Sequence, residues 1–251
     1  MTPRTNIGRR MEILACLLDH ESRSARGMGV VVVAERLQRE KSQISRGLSM
    51  LAQAGLVERD PETREFSIGP RLLAVAARAG DPDLVERAWP VLGRLAAQLG
   101  ERSNLSGLHD GCVLTIDTAG AASTVQTVGW SGRLTPVHCT AAGRALTMEL
   151  GEAELRLMLG GETLPVAGPR SPATLTELLE RVAVARSRGV AVTDGELDAD
   201  VLGVAAPVRD AAGSVRASIG ISGPAFRLRA RLDEAQDAVL AAAREVAAGL
   251  A

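Results

Sequence analysis

The side chains of residues 41–51 have the types and spacing that point most clearly to a chemistry. Ile44, Leu48 and Leu51 follow one another at i, i+4 and i+7, which predicts a helix with one apolar face. The opposite face has hydrogen-bonding side chains and hardly any acid, namely Lys41, Ser42, Gln43, Ser45 and Arg46. Such groups can bond phosphate oxygens and base edges, so we predict a recognition helix for double-stranded DNA. Taken alone, the segment could also be an ordinary amphipathic surface helix.

The expected contacts differ along this helix. We expect Lys41 and Arg46 to contact phosphates, and Gln43, with Ser42 and Ser45, to reach base edges. A glutamine can form two hydrogen bonds to adenine, whereas serine hydroxyls are less selective.

The elements around this helix complete a winged helix-turn-helix. In order, they are a first helix at residues 6–18, a short helix at 31–37, a turn at 38–40, the recognition helix ending at Gly55, and strands at 56–59 and 64–68 around a turn at 60–63. Arg59 and Arg64 flank the turn of this hairpin, or wing, and could reach the minor groove or the DNA backbone. The alternative is that they pair with Glu58 and Glu65.

A second candidate site is at Thr140, Ala141 and Ala142, where Thr140 is expected to open a helix. The exposed N–H groups of a helix N-terminus favour anions, and small side chains let a carboxylate approach closely. Close packing of this helix against a sheet is the alternative explanation for the small residues.

Other reactive side chains are expected to have no catalytic or metal-binding role. His138 and Cys139 are adjacent, and His109 precedes Cys112, but no short-spaced ligand cluster or third orienting group accompanies them. We therefore predict no metal, no cofactor and no enzyme activity. The acidic residues at 194, 196, 198 and 200 lack EF-hand spacing and are expected to form a solvated loop.

Bulk properties allow two ordinary domains in 251 residues. The net charge of −1 conceals an asymmetry: residues 1–80 contain 13 Lys and Arg against 9 Asp and Glu, and the remainder 16 against 21. A basic amino-terminal part suits a nucleic-acid reader. The scarcity of aromatic residues argues against a surface that stacks the bases of single-stranded nucleic acid.

The cellular compartment is predicted from three further features of the sequence. The chain has three widely spaced cysteines, no signal-peptide core and no long apolar run. These features predict a reduced, cytoplasmic protein without a membrane anchor.

The carboxy-terminal part alternates predicted strands and helices. The strands are expected at residues 104–108, 112–117, 190–193, 202–208 and 214–222, and the helices at 141–150, 152–159, from 175 to Gly189, and 232–250. This mixture predicts an α+β domain around a mainly antiparallel sheet. We expect a DNA-binding domain at residues 1–69, a helical linker at 70–83 and a second domain at 84–251.

From about residue 11 to residue 248, the chain resembles the IclR-type transcription regulators. The matching segments are Lys41-Ser42-Gln43-Ile44-Ser45-Arg46, Thr135-Pro136-Val137-His138-Cys139-Thr140-Ala141-Ala142-Gly143-Arg144-Ala145, Gly189-Val190-Ala191-Val192 with Gly195-Glu196, Ala205-Ala206-Pro207-Val208 and Ile221-Ser222-Gly223-Pro224. The resemblance implies a GAF-like effector-binding domain with a six-stranded sheet, a dimer or tetramer, and control by a small, often carboxylate-bearing effector.

The resemblance also implies which residues contact the effector. Thr193 or Asp194 stands where such domains have an acid, Gly203 where they have a cysteine, and Gly220 where they have the first of two serines; Ser222 is retained. We expect the two glycines to leave a roomier, less polar pocket for an effector bulkier than a two- or three-carbon acid. One alternative is a regulator whose second domain only oligomerises, and another is an enzyme that uses this domain.

Overall fold

The structure is a computed structural model that describes residues 5–21, 27–120 and 131–250. It contains two compact units, Met1–Ala76 and Ala77–Ala251, and the boundary falls inside a helix. Within the described ranges, no helix is long and apolar enough to span a membrane. The α+β prediction, with an amino-terminal winged helix and a carboxy-terminal antiparallel sheet, is confirmed.

The first unit consists of three helices and a short hairpin. Its elements are α1 (Asn6–Glu21), α2 (Val30–Arg36), α3 (Lys41–Gln53), β1 (Val57–Arg59) and β2 (Phe66–Ile68). The strands pair antiparallel, and Met28 adds an isolated antiparallel bridge to Phe66. The turn between α2 and α3 is made by Gln38, whose φ is 51°.

The apolar faces of these helices enclose the core of the first unit. Ile44, Leu48 and Leu51 of α3 are buried against Leu17 of α1 and Val33 of α2. Burying one such side chain contributes roughly 1.5–3 kcal/mol of transfer free energy. Packing therefore fixes which face of α3 remains in solvent.

The helix α4 (Pro70–Gly80) crosses the boundary between the two units, and the second unit continues with alternating helices and strands. They are α5 (Pro82–Leu99), β3 (Arg102–His109), β4 (Cys112–Ala119), β5 (Leu134–Pro136), α6 (Ala141–Thr147), α7 (Glu152–Leu159), α8 (Leu175–Arg188), β6 (Ala191–Asp194), β7 (Val201–Arg209), β8 (Val215–Pro224), α9 (Ala225–Arg229) and α10 (Leu232–Ala247). The segment predicted as a linker is thus mostly the helix α4, and α5 begins at its end.

The six strands form one antiparallel sheet in the order β5-β4-β3-β8-β7-β6. One face packs on α5 and α10 through residues such as Leu105, Val204 and Ile219. The other face meets α6, α7 and α8, with Ala191 and Ala205 in that core. Because side chains alternate along a strand, each strand presents one set of residues to each helical layer.

Two elements escape the sequence prediction, and two helices are shorter than expected. The three-residue strand β5 and the short helix α9 have too few residues to show a periodicity. The helix predicted at 141–150 ends at Thr147, and the helix predicted at 232–250 ends at Ala247. Conversely, the first helix extends to Glu21, beyond the predicted end at residue 18.

Candidate functional site

The exposed face of α3 carries five of the seven side chains predicted to contact DNA, and the wing carries the other two. Lys41, Ser42, Gln43, Ser45 and Arg46 are exposed, while the apolar residues between them are buried. The Nε of Arg46 donates to the backbone oxygen of Ser42 at 3.2 Å, which leaves its terminal N–H groups available for a further partner.

The wing holds its two arginines at the tip of the hairpin. The Arg59 guanidinium lies over the Phe66 ring, 5.4 Å from its centroid, and its Nε is 3.5 Å from the Arg64 carbonyl oxygen. Arg64 is exposed and has a φ of 61°. The wing turn therefore presents both residues to solvent.

Asp60 orders the wing turn. Its Oδ1 accepts hydrogen bonds from the backbone N–H groups of Glu62 at 2.8 Å and Thr63 at 2.7 Å. The bond from Thr63, followed by the bond from Glu62, lowers the pKa of Asp60 below its ordinary value.

A cavity of about 100 Å³ lies in the second unit, between the sheet and the first turn of α6. Its lining comes from all six strands, α6 and the residues beside them, and none of these described lining residues is charged. They are Asn104, Ser106, Val113, Thr115, Thr135, Cys139, Thr140, Ala141, Ala142, Thr193, Leu197, Val201, Gly203, Val204, Ala205, Gly220, Ile221 and Ser222. The arrangement suits a small, mostly apolar molecule with a few polar groups.

All but one of the predicted effector residues line this cavity. They are Thr140, Ala141, Ala142, Thr193, Gly203, Gly220 and Ser222. The structure places Asp194 elsewhere: Arg229 binds its carboxylate through Nη2 at 2.8 Å and Nε at 3.1 Å, and Arg170 lies 3.1 Å away. Of the two residues that could stand for the family's acid, only Thr193 is therefore at the cavity.

The start of α6 is fixed by Thr140 and Gly143. The Thr140 hydroxyl accepts from the Gly143 N–H at 3.1 Å and donates to the Pro136 carbonyl at 2.9 Å. A Cβ on Gly143 would collide with the backbone of Val137, so the glycine permits this close approach. The first N–H groups of a helix, here those of Ala141 and Ala142, have no acceptor within the helix.

The two glycines expected to enlarge the pocket have different roles. A Cβ on Gly203 would lie 3.0 Å from Thr193 Oγ1 and 3.4 Å from Ala141 Cβ, in the space between cavity-lining residues. A Cβ on Gly220 would lie 2.6 Å from the Val204 carbonyl oxygen. Gly220 thus lets two strands approach closely, and Gly203 lets Thr193 and Ala141 lie close to the backbone of β7 at the cavity.

A buried ion cluster supports α6 from the side. The Arg144 guanidinium binds the Glu196 carboxylate and donates to the Val192 carbonyl at 3.0 Å, and Arg181 lies 2.9 Å from Glu196. Arg144 and Glu196 are only 3% and 6% exposed, so the expectation that this acid belongs to a solvated loop is wrong. The pattern of alternating acids could not show that a distant arginine covers one of them.

Cys139 and His138 are not arranged for catalysis. Burial is the main reason that the pKa of the Cys139 thiol rises to about 11, and the nearby Glu196 adds to the effect. The His138 ring Nε2 lies 2.8 Å from the Pro165 carbonyl oxygen. In the described ranges, no three His, Cys, Asp or Glu residues are placed to hold a metal ion.

Five polar or thiol-bearing residues that line the cavity were not predicted from the sequence to contact an effector. They are Asn104, Ser106, Thr115, Thr135 and Cys139. The available signal was the alternation of polar with apolar residues in strand β3, where Asn104 and Ser106 flank the buried Leu105. Only the pairing of β3 with β8 and β4 shows that this polar face lines a cavity.

Residues 77–248 match the family described as bacterial transcriptional regulator IclR C-terminal. The HTH-type transcriptional regulator BhcR of Paracoccus denitrificans is 33% identical over 230 residues, or 90% of this chain and 81% of that protein. The Pca regulon regulatory protein of Pseudomonas putida is 27% identical over 224 residues, or 87% of this chain and 74% of that protein.

Solved structures agree with these relatives. The transcriptional regulator from Alicyclobacillus acidocaldarius superposes with a TM-score of 0.66 at 28% identity, over 96% of this chain and 98% of its own. An IclR homolog from Microbacterium hydrocarbonoxydans, complexed with 4-hydroxybenzoate, shares the fold at 22% identity, with a TM-score of 0.66 over 95% of this chain and 98% of its own. These proteins are transcriptional regulators and not enzymes, which confirms the prediction of no enzyme activity. The chain belongs to the IclR family of bacterial transcriptional regulators.

Proposed function

We propose that the protein binds a specific operator through α3 and the wing, and that a small organic acid in the cavity of the second unit changes its affinity for that operator. The observation that carries this proposal is the convergence of lining residues from every strand of the sheet and the first turn of α6 on one uncharged cavity. A second unit that served only in oligomerisation would not require such a cavity.

The DNA-binding part of the proposal depends on the exposed face of α3. Its candidates combine two cations with a glutamine and two serines, a set that can bind both phosphates and base edges. We propose that the protein acts as a homo-oligomer. Two recognition helices of a dimer would then enter successive major grooves, roughly 34 Å apart on a pseudo-palindromic operator.

The ligand part depends on the size and polarity of the cavity. Its volume of about 100 Å³ is smaller than the roughly 150 Å³ of a cavity that holds benzene. The inner part of the cavity therefore holds a compact acid, and a bulkier acid would extend through its open side. With no cationic side chain in the described lining, the carboxylate would bind at the N–H groups of Ala141 and Ala142.

We propose that ligand binding reaches the DNA-binding unit through α4. Strand β4 places Thr115 at the cavity and, two residues later, carries the buried Asp117. The Asp117 carboxylate lies 3.1 Å from the Arg78 guanidinium, near the end of α4. A ligand that favours one position of β4 would therefore favour one position of this helix end.

The test is fluorescence-anisotropy binding of the full chain to the intergenic DNA beside its own gene, with scrambled DNA of equal length as the control and salt held constant. Sequence-specific binding predicts a preference of roughly a thousandfold or more for the intergenic DNA. Equal, weak binding to both DNAs, with and without organic acids, would contradict the proposal.

A regulator whose second unit only oligomerises is the competing function. In that case no small acid would bind the protein saturably, although specific DNA binding would persist. Calorimetric titration with acids of increasing size separates the two possibilities, since the proposal predicts saturable binding of at least one.

A further inference from the structure

The side-chain amide of Asn104 has one end without a partner inside the cavity wall. Its Nδ2 donates to the Ser222 hydroxyl oxygen at 3.2 Å, across the paired strands β3 and β8. Its Oδ1 is buried, and no residue in the described ranges donates a hydrogen bond to it. The residue in register with Asn104 on β8 is Gly220, which has no side chain to cover the amide. The residue in register on β4 is Thr118, whose hydroxyl makes no hydrogen bond to Oδ1.

A buried carbonyl oxygen rarely remains unpaired in a functional state, because it loses its hydrogen bonds to water without replacing them. The hydroxyl of Thr140, which also lines the cavity, already donates to the Pro136 carbonyl oxygen. Since Asn104 lines the cavity, the missing donor can come from the molecule that fills it.

We propose that Asn104 is a specificity residue that selects acids bearing a hydroxyl group, through a hydrogen bond from that hydroxyl to Oδ1. This inference rests on the proposed function, in which the same cavity binds a small organic acid. The ligand class becomes a small hydroxy acid whose hydroxyl meets Asn104 on β3.

An ammonium group is the other common donor, and the lining argues against it. No carboxylate is found among the described lining residues, and Asp194 is bound to Arg229 and Arg170 instead. Burying an ammonium without a counter-charge is far more costly than burying a hydroxyl that finds one acceptor. A hydroxy acid therefore fits this cavity better than an amino acid does.

The experiment is isothermal titration calorimetry of the full chain with matched acid pairs: lactate and propionate, 3-hydroxybutyrate and butyrate, and malate and succinate. In the pair that binds more tightly, we expect the hydroxy acid to have about a tenfold or greater advantage in Kd over its partner without the hydroxyl. One neutral hydrogen bond to a buried acceptor changes a Kd by about this factor. In Asn104→Ala the two acids of a pair should bind with about equal affinity, because the acceptor of the hydroxyl has been removed.

Because the readout is a ratio of two ligands on one protein, an altered stability of the variant cancels, and the wild-type comparison stands if Asn104→Ala fails to fold. Equal affinity for both members of every pair would overturn the inference and leave the proposed acid effector intact. A preference that survives in Asn104→Ala, or stronger binding of pyruvate than of lactate, would also overturn it. If none of these acids bound, the result would contradict both the proposed acid effector and the inference about Asn104.

Discussion

Five of the seven candidate DNA-binding side chains project from the amino-terminal half of α3, and two lie in the wing. The cavity instead gathers its lining from six strands, the first turn of α6 and adjoining residues. The first surface is exposed and contains cations, and the second is concave and uncharged. Contacts with DNA can therefore be removed one at a time with little effect on folding. The cavity depends on shared supports, so its residues are coupled to the stability of the second unit.

The largest expected effect is on the support of the cavity. Glu196→Gln keeps the shape of the side chain but leaves Arg144, which is only 3% exposed, without its counter-charge. Removing one partner of a buried pair destabilises by about 3–5 kcal/mol. Urea denaturation followed by tryptophan fluorescence measures this loss, because Trp89 lies in α5 of the second unit and the sequence has no tryptophan before it.

The matched control is Glu162→Gln, which removes a carboxylate that pairs with Arg156 at the surface of the same unit. Exposed pairs contribute about 0–1 kcal/mol, so this variant should unfold almost as the wild type does. Equal destabilisation by both substitutions would show that the cluster of Arg144, Arg181 and Glu196 is not a special support.

An intermediate effect is expected on the exposed surface. Arg46→Ala removes a guanidinium from the solvent face of α3 and should weaken operator binding by about 1–3 kcal/mol, or roughly 5- to 150-fold. The unfolding transition should be unchanged, because Arg46 is exposed. The measurement is anisotropy at fixed salt, with Arg156→Ala in the second unit as the control for lost positive charge.

Arg46→Ala with wild-type operator affinity would contradict the assignment of α3 as the recognition helix. A loss of affinity equal to that in Arg156→Ala would show that only net charge matters.

The smallest expected effect is the acid titration of the wing. Backbone hydrogen bonds lower the pKa of Asp60 in the folded state. Its contribution to the turn is therefore fully present above the ordinary aspartate pKa and is lost as the pH falls through the lowered folded value. The pH dependence of the Glu62 and Thr63 amide resonances in NMR spectra should show a midpoint below about 3.9.

Asp60→Asn is the control for the wing titration, because it keeps an oxygen acceptor for the two backbone N–H groups and removes the ionisation. Its resonances should not titrate in this range. A midpoint at or above the ordinary value in the wild type would refute the hydrogen-bonded turn.

The contrast between the α3 surface and the cavity also explains which site residues could be predicted from the sequence. The spacing of Ile44, Leu48 and Leu51 defines the solvent face of α3 without further information, because helical periodicity is local. The lining contributed by Asn104 and Thr115 depends on which strands pair, and the burial of Glu196 depends on an arginine distant in sequence. Thr193, Gly203 and Ser222 were accessible only through the family resemblance.

The central claim is that the cavity controls operator binding, and its most direct test compares operator affinity with and without a saturating acid in the wild type and in Gly203→Val. The valine would occupy the space beside Thr193 and Ala141. We predict that the acid changes wild-type affinity by about 5- to 150-fold, as for a coupling of 1–3 kcal/mol. With its fold checked by the unfolding transition, the Gly203→Val variant should bind the operator as the wild type does without acid and should not respond to the acid. An equal response in both proteins, or no response of the wild type to an acid that it binds, would contradict the account.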